Sequence, residues 1–106
     1  MNKYIKDGKV GVLISPGFGS GWSTWNPDYS EYLLFDRELI QAVLDGDFNK
    51  VESIAEATIG EETYLHTGGA HDLTVHWLDP GTQFKVDEYD GHETLKVLEE
   101  VDLFTA

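Results

Sequence analysis

The spacing of apolar residues changes period twice along this chain, and that change limits what the chain can fold into. From Lys9 to Ser15, Val10, Val12 and Ile14 alternate with Gly11 and Leu13, the two-residue period of a strand. Pro16 ends that run. Between Asp36 and Gly60 the apolar residues return every three or four positions, the period of a helix with one buried stripe. Asp36 is the expected N-cap of a helix from Arg37 to Asp45, with Leu39, Ile40, Val43 and Leu44 as its stripe and Gly46 as its stop. Asp47 is the expected cap of a second helix, Phe48 to Ile59, burying Val51, Ile54, Ala55, Thr58 and Ile59 and ending at Gly60. Alternation then resumes in Leu73, Val75 and Trp77, in Phe84 and Val86, and in Leu95 and Val97. Asp79-Pro80-Gly81 supplies one turn, and Asp90-Gly91 is the signature of a two-residue type I′ hairpin. Glu31 to Phe35 fits strand or helix. The pattern predicts an α+β fold: an antiparallel sheet of about four strands, the N-terminal strand plus a C-terminal three-stranded meander, with two helices on one face.

At 106 residues the expectation is one domain spanning 1–106. Twenty acids against 7 bases give a net charge of -13. That charge argues against direct nucleic-acid binding, because phosphates need Lys and Arg, and against an anionic membrane surface. No apolar run approaches the roughly 20 residues of a membrane span, and the first eight residues lack the apolar stretch of a signal peptide. A cytoplasmic location is the resulting expectation. There are no cysteines, which excludes thiolate metal sites and cysteine nucleophiles. Residues 1–53 hold 8 acids and 5 bases, whereas 54–106 hold 12 acids and 2 bases, so one side of the fold is expected to be acidic.

The segment from Ser15 to Pro27 is the least ordinary. Gly17, Gly19 and Gly21 let the backbone approach a ligand and offer successive amides as an anion nest. Ser20, Ser23 and Thr24 add hydroxyls, and Trp22 and Trp25 add flat faces for base stacking. Phe18 and Asn26 complete a candidate ligand-binding loop over residues 17–26. The loop is neither a dinucleotide fingerprint, since the final Gly is missing, nor a P-loop, since no Gly-Lys-Ser/Thr follows. The competing reading is a tight loop whose two indoles plug the core.

Other constellations carry less. His66, His71 and His76 recur every five residues near Asp72 and His92, a spacing that fits neither one helix face nor one strand face, so no metal and no cofactor is expected. Ser20, Ser23 and Asp72 are available to a hydrolase, but no Gly-x-Ser-x-Gly elbow occurs, and no catalytic residue is assigned. Asp87, Glu88, Asp90 and Glu93, with Glu99, Glu100 and Asp102 beyond them, are expected to form an acidic surface able to mimic a nucleic-acid backbone and occupy a basic groove. The alternative is that one sign of charge keeps a small protein dispersed. Tyr29, Tyr32, Phe35, Trp77, Tyr89 and Phe104 offer rings either to the core or to a homo-oligomer interface.

The stretch Val10 to Asn26, containing Ser15-Pro16-Gly17-Phe18-Gly19-Ser20-Gly21-Trp22-Ser23-Thr24-Trp25-Asn26, resembles a motif of small bacteriophage-encoded proteins. The run Gly81 to Glu93, with Glu88-Tyr89-Asp90-Gly91, resembles a second element of the same group. The group is similar to the phage anti-Thoeris proteins, which sequester a cyclic ADP-ribose signal. The resemblance implies a phage origin and a role in blunting host defence. No binding residue of that family maps onto a position here, so none is carried over. The expected function is a non-enzymatic accessory protein that sequesters a small nucleotide-like signal through the Gly/Trp loop. The alternatives are an acidic inhibitor of a basic host defence protein and a small hydrolase.

Overall fold

A computed structural model describes residues 3–60 and 63–98. The tail acids Glu99, Glu100 and Asp102 and the ring of Phe104 lie outside the described residues. The fold is α+β, with three α-helices and two antiparallel sheets among the described residues.

The chain opens with a tight hairpin. Strand β1, Ile5–Lys6, turns back through Asp7 (φ 52°) and Gly8 (φ 77°) into β2, Lys9–Ile14. Both turn residues have positive φ, as a type I′ turn requires. β2 is buried on both faces from Val10 to Ile14, and the lack of a side chain at Gly11 leaves room for Trp77, Ile40 and Val75. β3, Thr74–Leu78, runs antiparallel beside β2, pairing Val10 with Leu78 and Ile14 with Thr74. The first sheet is therefore β1-β2-β3.

The expected single four-stranded sheet is not formed. β4, Phe84–Tyr89, and β5, His92–Val97, pair only with each other as a separate two-stranded sheet. The reason lies in the connection after β3. Asp79 O accepts from Thr82 N, Gly81 takes φ 84°, and the chain leaves the β3 edge instead of folding back along it. The Asp90-Gly91 turn is as expected, with φ 50° and 86° between paired Tyr89 and His92.

Glu31–Phe35 resolves as helix: α1 is Ser30–Phe35, preceded by two 3-10 turns over Ser23–Trp25 and Pro27–Tyr29. α2, Arg37–Leu44, and α3, Phe48–Ile59, stand where the periodicity puts them. Asp36 accepts from Glu38 N and Leu39 N, and Asp47 accepts from Lys50 N, so both caps satisfy orphan amides. Two stripe residues differ from expectation: Leu44 and Thr58 are exposed. The core joins Leu13, Leu33, Leu39, Ile40, Val51 and Leu73 around Trp22. Among the described residues no helix is long and apolar enough to cross a membrane.

Candidate functional site

The Gly/Trp loop does bind an anion, and the anion belongs to the protein. Glu93 on β5 is 1% exposed. Its Oε1 accepts from Ser15 N at 2.9 Å; its Oε2 accepts from Trp22 N at 2.9 Å, Thr24 N at 3.0 Å and Thr24 Oγ1 at 2.6 Å. Four donors match the roughly four lone-pair sites of an ionised carboxylate, and hydrogen bonds to a charged acceptor are the stronger kind. Glu93 N also donates to Ser15 O at 2.8 Å, carrying β5 onto the end of β2. Glu93 is therefore not part of an acidic surface. Its charge is spent inside, on the amides of Ser15, Trp22 and Thr24 and not on those of the three loop glycines.

The glycines serve the same docking. Gly19 takes φ 103° and donates to Asp90 O at 2.7 Å. Gly91 is buried at the hairpin tip, where a Cβ would fall 2.7 Å from Gly19 C and closer still to Ser20 N. At Gly21 a Cβ would lie 2.6 Å from the Trp25 ring and 2.7 Å from Thr24 Oγ1, and at Gly69 it would lie 2.7 Å from Gly21 O. Protein backbone and protein rings occupy the space that the sequence reading reserved for a ligand.

The loop residues therefore divide. Trp22 is fully buried, and its Nε1 donates to Leu33 O at 2.9 Å, so it is a core plug and not a stacking platform. Ser23 is buried, and Asn26 is 6% exposed. Thr24's hydroxyl is taken by Glu93, and Ser20 O accepts from Ser15 Oγ at 3.2 Å. Gly17 lies against Asp72. Phe18 is 68% exposed and stacks on His92, with centroids 4.9 Å apart and planes at 17°; His92 Nδ1 is hydrogen-bonded to Pro16 O. Of the candidate loop, Trp25 alone turns a half-buried ring to a hollow.

That hollow, of about 170 Å³, is walled by Trp25, Asn26, Asp28, Tyr29, Tyr64 and His66. His66 meets both aromatic neighbours edge-on: Trp25 at 5.6 Å and 86°, Tyr64 at 4.7 Å and 90°. Asn26 fixes the arrangement. Its Nδ2 donates to Trp22 O at 2.8 Å and His66 O at 3.0 Å, and its Oδ1 accepts from His66 N at 2.8 Å. One buried amide thus ties the backbone of the two wall segments together. Sequence reasoning took His66 only as a metal candidate and passed over Tyr64 and Asp28. The clue was present in Tyr64-x-His66, two rings flanking one residue beside a Gly-Gly turn, but nothing in sequence says that this turn meets Trp25.

The remaining acids are partly engaged. Asp87 pairs with Lys96 at 3.1 Å and Lys85 at 3.6 Å, and the Lys96 hydrogen bond holds its carboxyl below the ordinary aspartate value. Glu88 accepts from Gly91 N at 2.8 Å. Asp90 is a turn residue. The histidines are spread over separate elements, with His71 beside Glu52 at 3.3 Å and His76 exposed on β3. Compared with family models, curated proteins and solved structures, the chain finds no match in any of the three.

Proposed function

We propose that this protein is a non-enzymatic binding protein that captures a small nucleotide-like molecule, with the planar ring of the ligand held in the hollow beside Trp25. The observation that carries this reading is the corner of Trp25, His66 and Tyr64, where Asn26 ties the backbone at Trp22 to that at His66. Ring-on-ring stacking of a base is worth on the order of 1–3 kcal/mol, and a tied backbone reduces the ordering cost of forming the site. The hollow supplies stacking faces and one carboxylate, not a hydrogen-bonded nucleophile and base, which favours capture over turnover. The resemblance of the Gly/Trp loop and the Glu88-Tyr89-Asp90-Gly91 hairpin to phage proteins makes the biological setting of this proposal the sequestration of a host-defence signal.

Calorimetric titration with nucleosides and mono-, di- and cyclic nucleotides tests it. Binding is expected for at least one ring type and is expected to disappear in Trp25→Ala and in Tyr64→Ala. Tyr64 is 80% exposed, so its truncation leaves the fold intact and isolates the ring's contribution. Absence of heat with every member of the panel at millimolar concentration retires the proposal.

The acidic-inhibitor reading loses its main support with the burial of Glu93 and the pairing of Asp87.

A further inference from the structure

The charge around the hollow specifies its guest more narrowly, and this step rests on the small-ligand reading just given. Two further hollows share its walls. One, of about 370 Å³, shares Asp28 and Tyr29 and adds Glu31 and Tyr32; the other, of about 330 Å³, shares Tyr64 and adds Glu56. Among the described residues, no lysine or arginine lines any of the three. Three loop amides, of Ser15, Trp22 and Thr24, are committed to Glu93 and not to a phosphate. What remains is a set of electron-rich ring faces rimmed by carboxylates in a chain of net charge -13.

Ring faces attract cations through their quadrupole, and carboxylates at the rim add to that attraction. A phosphate brought to the same place meets only like charge. We infer that the recognised part of the ligand is a positively charged heteroaromatic ring, an N-alkylated pyridinium or purinium, bound ring-first in the hollow of Trp25, Tyr64 and His66, with Asp28 as its counter-ion. Any phosphate on the ligand stays outside the hollow.

Ligand pairs that share a ring and differ in charge test the inference on the full chain. 1-Methylnicotinamide, a permanent cation, is titrated beside neutral nicotinamide, and adenosine beside adenosine monophosphate. The cation is expected to bind on the order of tenfold tighter than its neutral partner, and adenosine tighter than its monophosphate. Asp28→Asn, an exposed substitution, is expected to reduce the ratio of cation to nicotinamide affinity several-fold, and an unchanged ratio overturns the counter-ion role. Equal binding of the charged and neutral partners, or tighter binding of the monophosphate, overturns the charge inference while the capture reading stands. If none of the four binds but another nucleotide does so in a Trp25-dependent way, the charge inference again falls alone. If nothing binds at all, both fall together.

Discussion

Glu93 has two oxygens, four donors and, among the described residues, no lysine or arginine bonded to it, so what replaces it decides whether the loop keeps its shape. Glutamine has nearly the same volume but presents an NH2 where one oxygen was. That NH2 must face Ser15 N–H on one side or the three donors on the other, and either choice leaves donors opposed. Hydrogen bonds to a charged group are worth ~1.5–3 kcal/mol and an orphaned buried donor costs ~1–3 kcal/mol. Glu93→Gln is therefore expected to lower the unfolding free energy by about 3 kcal/mol. Thr24→Val, which removes one of the four donors, is expected to cost about 1 kcal/mol. Urea unfolding of the two variants checks the ratio. Equal small losses for both show that Glu93 is not the centre of the loop. The contrast with Trp22 is instructive at the same scale. Its indole is packed like any core side chain and also hydrogen-bonded to Leu33 O, whereas Trp25, three positions on, keeps a face toward the hollow. Two identical side chains in one loop thus differ in burial, one packed in the core and one facing a hollow.

At the scale of elements, the hairpin β4–β5 depends on its tip. A two-stranded hairpin is marginal on its own, and this one gains its support where Gly91 slides under Gly19 and Ser20 and Glu93 enters the loop. Gly91→Ala adds a Cβ at φ 86° and drives it into backbone, whereas Gly81→Ala adds one at φ 84° with open space around it. The second substitution carries only the left-handed backbone cost of ~1–2 kcal/mol. The first must also displace the hairpin, and it is expected to destabilise clearly more. Hydrogen exchange in Gly91→Ala is expected to rise across 84–98 and at Gly19 while α2 and α3 stay protected. Uniform loss of protection, or no difference from Gly81→Ala, contradicts the docking. The same element shows why part of the fold was legible and part was not. The Asp90-Gly91 turn and the Asp36 and Asp47 caps are local signals, and each is where the residues say. Asp7-Gly8 is an identical local signal, but the strand before it is only two residues long and has no alternation to read. The partner of β3 is a non-local choice. Alternation in Leu73–Trp77 fits pairing with β2 as well as with β4, and only the exit of the chain at Asp79–Gly81 decides between them. The glycines mark a close approach of backbones, but the amides that hold an anion belong to Ser15, Trp22 and Thr24, and their occupant, 69 or more residues away in the chain, is not legible in the sequence.

Across the whole molecule the net charge of -13 acts on folding and on binding with opposite signs. Like charges repel in the compact state, and salt screens them, with a Debye length falling from ~30 Å at 0.01 M to ~3 Å at 1 M. Raising sodium chloride over that range is therefore expected to raise the melting temperature. The ion pairs that salt weakens, Lys9–Asp79 and Lys96–Asp87, are exposed, and such pairs contribute only ~0–1 kcal/mol each, too little to reverse the trend. The attraction of the hollow for a cationic ring runs the other way: its carboxylates lie at the solvent edge, and screening reduces their pull. In one salt series, melting temperature should climb while affinity for 1-methylnicotinamide declines and that for nicotinamide holds level. The neutral ligand separates the two effects, because a general tightening of the fold acts on both ligands alike. A melting temperature that falls with salt removes self-repulsion as the controlling term, and a cation affinity indifferent to salt removes the carboxylates from the recognition of the ring.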